Sequence, residues 1–175
     1  MTYDPHIGDF GVVRTKGFVG KAIRLMTRSQ VSHAFIYIGA GWIIEAQARG
    51  STKTKLSKYT GRTIVWNWNS DQYLSPTTRV RIASEARKML GTPYNFLDLV
   101  ALFFLTSGFR WDWLLKRAQN NNRMICSQLV DEAYARVGEH LFDDERPSGQ
   151  VTPGDLLMFI ASGENPKIDI LPSRS

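Results

Sequence analysis

The sequence has little of what disulfides and metal centres need. It contains a single cysteine, which excludes an intrachain disulfide and any zinc site built on several cysteines. Its three histidines, His6, His33 and His140, lie far apart and match no zinc-ligand spacing. We therefore expect neither a metal nor any other cofactor.

Long apolar runs are also scarce. The most apolar run, from Leu99 to Leu105, is much shorter than the roughly 20 residues of a membrane span. It predicts a buried helix or a helix that touches a membrane surface. The N-terminus lacks the basic start and apolar stretch of a secretory signal. Together these absences predict a cytoplasmic protein.

Acidic residues are scarce in the first third of the chain. Residues 1–60 carry nine lysines and arginines against three acidic residues, whereas residues 61–175 carry thirteen of each. The whole formal net charge of +6 therefore belongs to the first third. A basic face favours an anionic partner such as lipid headgroups or cell-wall polymer. The alternative is a solvated surface without a partner, and we expect no specific nucleic-acid target.

The 175 residues predict one domain with an ordered core over about residues 8–160. The Pro- and Ser-containing tail, 164–175, is expected to be frayed. The chain contains both strand patterns and helical patterns. Predicted strands lie at 10–14, 31–38, 42–48 and 62–68; predicted helices lie at 16–26, 76–90, 127–137 and 153–159; residues 49–58 are predicted to form a loop.

The only cysteine, Cys126, lies at the predicted start of an amphipathic helix. Leu129, Val130, Ala133 and Tyr134 recur after it at helical spacing. Free backbone N–H groups at a helix N-terminus favour a thiolate, which is the nucleophilic form of cysteine. Because free cysteine is also among the most buried residue types, a purely structural role is the alternative.

A cysteine nucleophile needs a base and a group that orients the base. His33 is the best candidate base, because it lies on a predicted strand among apolar residues. Glu45 lies in the next strand, where a buried carboxylate needs a partner such as imidazole. The alternatives are a structural histidine and a glutamate that faces water.

Six short motifs, in this order, resemble those of the circularly permuted NlpC-type amidases. In these papain-like cysteine enzymes the cysteine helix follows the histidine strands. The similar segments are Gly8-Asp9, Ser32-His33-Ala34-Phe35-Ile36-Tyr37-Ile38-Gly39, Ile43-Ile44-Glu45-Ala46, Gly91-Thr92-Pro93-Tyr94-Asn95, Ile125-Cys126-Ser127-Gln128-Leu129-Val130 and Pro153-Gly154-Asp155-Leu156. Asn95 and Gln128 depart from the Asp and Glu that are usual there.

This resemblance implies a papain-like α+β fold and a hydrolase that cleaves amide bonds. Cys126 would attack a carbonyl group, His33 would transfer the proton and Glu45 would fix the imidazole. Tyr37 and Tyr94 would line the substrate pocket. Cell-wall peptides are the first substrate class to consider, and a lipid-directed acyl hydrolase or acyltransferase with peripheral membrane contact is the second. A catalytically idle binding or virion-type protein with this fold is the third interpretation, and the oligomeric state stays open.

The register of one hairpin decides whether Glu45 can reach His33. Side chains alternate along a strand, so His33, Phe35 and Tyr37 share one face. A three-residue loop, Gly39-Ala40-Gly41, would place Phe35 opposite Glu45 and bring Glu45 to that face. A two-residue turn would place Glu45 on the other face.

Overall fold

The computed structural model describes residues 3–47, 50–93, 126–142, 148, 151–163 and 168–170. Six strands and four helices follow one another in mixed order along these segments. They are β1 (Phe10–Val13), α1 (Phe18–Met26), β2 (His33–Gly39), β3 (Trp42–Gln47), β4 (Gly50–Lys55), β5 (Thr63–Trp66), α2 (Pro76–Lys88), α3 (Cys126–Ala135), α4 (Pro153–Ser162) and β6 (Ile168–Ile170). Two 3₁₀ turns, Leu56–Tyr59 and Trp68–Gln72, flank β5.

The strands form one antiparallel sheet in the order β4-β3-β2-β1-β5-β6. Helices α2, α3 and α4 pack against this sheet, α3 lying over β2 and β3. The predicted α+β fold with an antiparallel sheet packed on helices is thereby confirmed. Within the described segments, no helix is both long and apolar enough to cross a membrane.

Cap residues fix where two of the helices begin. The Ser75 hydroxyl accepts a hydrogen bond from the Thr78 N–H, and Pro76 occupies the first turn of α2, where its missing N–H costs nothing. Thr152 and Asp155 form a reciprocal capping box at the start of α4. Both starts lie where the sequence predicts them.

The sheet separates two apolar clusters. Beneath the helices lie strand residues such as Phe10, Val12 and Ile36, together with Leu129 of α3. On the opposite face, Phe35 stacks on Tyr59 and meets Trp66 edge-on, with ring centroids 5.2 and 5.5 Å apart. The 3₁₀ turn Leu56–Tyr59 covers this second cluster and so carries Tyr59 toward the strands that hold His33 and Glu45.

The structure corrects two predictions. The predicted loop over residues 49–58 contains strand β4, which pairs with β3, and the 3₁₀ turn that follows it. Thr52 and Thr54 share a face with Glu45 while the intervening lysines take the other, so the basic residues concealed a period-two pattern. The tail, expected to be frayed, contains β6, which pairs with β5. Residues 99–105 lie outside the described residues.

Candidate active site

The β2–β3 hairpin places His33 and Glu45 side by side. Phe35 lies opposite Glu45, which is the register expected of a three-residue loop. The turn itself has only two residues, Ala40 and Gly41, because Gly39 pairs with Trp42. An irregularity between Tyr37 and Gly39 shifts the register and so brings Glu45 to the His33 face. Ala40 adopts a positive φ of 51° between the two loop glycines, which also have positive φ. His33 and Glu45 therefore share a face, and His33 Nε2 lies 2.7 Å from Glu45 Oε2.

Glu45 is fully buried and accepts hydrogen bonds through both oxygens. Besides His33, Oε2 accepts from the Tyr59 hydroxyl at 2.5 Å. Oε1 accepts from Gln47 Nε2 at 2.9 Å, from Lys58 Nζ at 2.9 Å and from the Thr54 hydroxyl. A buried carboxylate is tolerated when its lone pairs are satisfied in this way. The arrangement holds Glu45 as a fixed anion beside the imidazole.

Cys126 is the first residue of α3 and is 3% exposed. Its thiol hydrogen-bonds to the side chain of His33, and the backbones of Ala34 and Ser127 also hydrogen-bond to the sulfur. Because Glu45 occupies Nε2 of His33, Nδ1 is the ring nitrogen that remains for the sulfur. Cys126, His33 and Glu45 therefore form one connected chain of side chains.

The three groups shift one another's protonation. Burial lowers the pKa of His33, but contact with Cys126 and Glu45 outweighs burial and raises this pKa to about 9. Burial raises the pKa of the Cys126 thiol, but His33 and the two backbone contacts bring it below its ordinary value. Burial also raises the pKa of Glu45, but His33, Thr54 and Tyr59 hold it well below its usual range. A thiolate beside an imidazolium is the state that these shifts favour.

The two tyrosines expected in the substrate pocket have different outcomes. Tyr37 lies four residues beyond His33 on β2, about 13 Å away at the usual rise of a strand. Its hydroxyl accepts a hydrogen bond from the Gly41 N–H, and its ring meets Trp66 edge-on. Tyr37 thus closes the hairpin turn, and its role in substrate binding stays a prediction. Tyr94 lies outside the described residues.

Sequence reasoning missed the residues around Glu45. Gln47 could have been found, because it follows Glu45 by two positions on the same strand face. Tyr59 and Lys58 carry no local signal, since they reach Glu45 only through the packing of the 3₁₀ turn. Lys58 pairs with Glu45, whereas Lys53 and Lys55 lie over the Trp42 ring.

Comparison with known proteins indicates the fold only. No protein-family model and no curated protein matches the sequence. Among solved structures, the chain is similar to the metalloprotein yiiX from Escherichia coli O157:H7, a DUF1105 protein. The identity is 21% and the TM-score is 0.58, over 97% of this chain and 91% of that chain. At this level of identity, the likeness shows that the two proteins share a fold.

Proposed function

We propose that the protein is a cysteine hydrolase with a papain-like, permuted NlpC-type fold that cleaves amide bonds through an acyl-enzyme on Cys126. One observation carries the proposal: the Cys126 thiol hydrogen-bonds to the His33 imidazole, and Nε2 of that imidazole hydrogen-bonds to the buried carboxylate of Glu45. Nucleophile, base and orienting group then stand in the order that nucleophilic catalysis requires. A structural cysteine needs neither partner.

The reaction begins with the thiolate of Cys126 attacking the carbonyl carbon of the substrate. The backbone N–H of Cys126, at the start of α3, is the candidate donor for the oxyanion that forms. The imidazolium of His33 gives its proton to the leaving amine, and the carbon–nitrogen bond breaks. Water then attacks the thioester while His33 takes a proton from it, which releases the acid and restores Cys126.

Glu45 serves this cycle by fixing the imidazole. Its carboxylate holds the Nε2 edge of the His33 ring, which leaves Nδ1 for the sulfur. The negative charge also stabilises the imidazolium that His33 carries before it protonates the leaving amine and again after it takes a proton from water. Tyr59, Thr54 and Gln47 hold the carboxylate itself.

The name of the neighbouring structure raises the question of a metal. Among the described residues, no group of three His, Cys, Asp or Glu side chains lies close enough to hold a metal ion. Both oxygens of Glu45 already accept hydrogen bonds, and His33 Nε2 is engaged by Glu45. The donor set at Cys126 does not fit a metal centre, and the proposed reaction uses its side chains alone.

Trapping the acyl-enzyme tests the proposal. Wild-type protein is mixed separately with peptidoglycan fragments and with phospholipid vesicles, quenched in acid and digested for mass spectrometry. We expect an acyl adduct on the peptide that contains Cys126, with fragments of cell-wall peptide as the first substrate class. Cys126→Ala should carry no adduct and release no product, and His33→Ala should acylate far more slowly.

The outcomes separate the alternatives. An adduct from phospholipid alone would assign the acyl chemistry to lipids instead of amides. Product release by Cys126→Ala at the wild-type rate would contradict the proposed nucleophile. Neither adduct nor product from either substrate class would favour a binding protein with this fold.

A further inference from the structure

A basic cleft of about 850 Å³ opens beside the candidate active site. Five cationic side chains line it: Arg14, Lys16, Lys21, Arg24 and Arg62. No acidic side chain of the described residues lines it, and none of the five is ion-paired with an acidic side chain in those segments. Such a concentration of unneutralised positive charge favours binding of an anion, because like charges repel one another.

The cleft lies at the end of the sheet where β2 begins. Val13 of β1 pairs with His33, so Arg14 follows directly beyond that pair. Val31, two residues before His33, is another lining residue. On the far side of the cleft, the Arg62 guanidinium lies 5.8 Å from the ring centroid of Tyr59. The Tyr59 hydroxyl in turn donates a hydrogen bond to Glu45. A ligand in this cleft would be a neighbour of the Cys126–His33 pair.

Two of the cationic groups are anchored. Arg24 Nη1 donates to the carbonyl of Thr15 at 2.9 Å, and Arg62 Nη1 donates to the carbonyl of Arg14 at 3.4 Å. Both guanidinium groups keep further N–H donors for an anion. Lys16 and Lys21 are exposed and free to move their ammonium groups onto a ligand. The cleft thus combines fixed guanidinium groups, each with several N–H donors, and mobile lysine ammonium groups.

The start of α1 adds to the positive potential of the cleft. Gly17, which lines the cleft, is the N-cap of α1, offers no capping side chain and has a φ of 99°. No acidic residue occupies the first turn of α1. The free N–H groups and the positive end of the helix dipole therefore act together with the lysines.

Apolar side chains complete the lining. Val31 and Val65 are buried, and Leu157 of α4 contributes a third apolar surface. The cleft is larger than one phosphate needs, so its ligand would carry an apolar part beside the anionic group. A phosphate suits five cations better than a single carboxylate does, because it carries more charge and more acceptor oxygens.

We infer that this basic cleft binds a phosphate group and, resting on the proposed function, that this phosphate belongs to the acyl substrate. Its cations would hold the substrate's phosphate while the acyl carbonyl reaches Cys126. Phosphate binding is a property of the cleft alone, whereas its place in the substrate depends on the proposed hydrolysis. The two parts are therefore tested separately.

The first experiment measures binding of inorganic phosphate to the full chain by NMR titration. Lys16→Gln/Lys21→Gln should raise the dissociation constant about tenfold, the change expected from losing two charge contacts. Lys53→Gln/Lys55→Gln removes the same charge beside the Trp42 ring, near the end of β2 away from His33, and it should stay within about twofold of wild type. Equal weakening in both double variants, or acetate binding as tightly as phosphate, would overturn the phosphate site.

The second experiment compares a soluble phosphate-bearing ester with a neutral ester of the same acyl group. Inorganic phosphate should compete with the first ester by raising its KM at unchanged kcat, and should leave turnover of the neutral ester alone. The preference for the phosphate-bearing ester should fall about tenfold in Lys16→Gln/Lys21→Gln and persist in Lys53→Gln/Lys55→Gln. Equal inhibition of both esters by phosphate would identify a separate effector and overturn the substrate assignment.

The two failures can be told apart. If wild-type protein forms no acyl adduct and hydrolyses no ester, yet binds phosphate through Lys16 and Lys21, the proposed hydrolase fails and the phosphate site stands. If esters are cleaved but neither double variant differs from wild type, the hydrolase stands and the phosphate site fails.

Discussion

At the scale of single residues, the candidate site depends on the buried carboxylate of Glu45. Five side chains donate hydrogen bonds to it, and only one of them, His33, contacts the proposed nucleophile. The remaining donors keep the fully buried carboxylate anionic and fixed. The protonation of Cys126 is therefore set partly by residues that never touch it.

Replacing Glu45 by Gln should lower both the pKa of His33 and turnover. The amide has nearly the shape of the carboxylate but no negative charge to stabilise the imidazolium. The pKa of His33, about 9 in the wild type, should move toward the ordinary value of about 6.5. Turnover should fall at least about 100-fold. NMR titration measures the pKa; an unchanged pKa of His33 would remove Glu45 from its orienting role.

Lys58→Met should lower kcat about three- to tenfold by loosening Glu45, since it removes a charged hydrogen bond to a buried group. The Lys58 side chain is 44% exposed, so water can replace part of that contact. Lys53→Met is the matched control, because Lys53 contacts the Trp42 ring instead. Equal kcat values for the two variants would show that Lys58 acts only through surface charge.

At the scale of secondary structure, local patterns predict the elements that carry the proposed triad. The period-two pattern predicts the two strands that carry His33 and Glu45. The register that joins them depends on the irregularity between Tyr37 and Gly39, which the sequence does not predict. The sequence predicts a loop where strand β4 lies, because lysines alternate there with threonines and lysine is typical of loops and edge strands alike. Tyr59 could not be predicted from local pattern, since its contact with Glu45 depends on how a short turn packs.

The capping box of α4 permits a direct test at this scale. Thr152 accepts a hydrogen bond from the Asp155 N–H, and Asp155 accepts one from the Thr152 N–H. Thr152→Ala should lower the free energy of unfolding by about 1 kcal/mol. Thr77→Ala, in the exposed first turn of α2, should change it by less than about 0.5 kcal/mol. Urea denaturation measures both, and equal losses would mean that the capping box contributes nothing.

At the scale of the whole molecule, a buried ion pair joins segments that are distant in sequence. Asp9, fully buried before β1, accepts hydrogen bonds from Tyr3, Ser70 and Arg79, the last with its side chain 7% exposed. This pair connects the N-terminal segment, the 3₁₀ turn Trp68–Gln72 and α2. It lies apart from the proposed triad and therefore tests stability independently of catalysis.

Arg79→Met should lower the free energy of unfolding by about 3–5 kcal/mol, because Asp9 would remain as an uncompensated buried charge. Arg136→Met removes a half-exposed arginine that pairs with Glu132 one helical turn away, and it should cost less than about 1 kcal/mol. Urea denaturation of both variants measures the difference. Similar losses would show that the Asp9 pair contributes no more than a surface pair.

If the imidazolium of His33 holds Cys126 as a thiolate, the rate of Cys126 alkylation by iodoacetamide must show it in its pH dependence. We expect rapid alkylation well below the pKa of about 8.5 of a free thiol. A second change in rate should appear near pH 9, where His33 loses its proton. In His33→Ala the low-pH reaction should disappear. Wild-type alkylation that follows a single pKa at or above that of a free thiol would contradict the account.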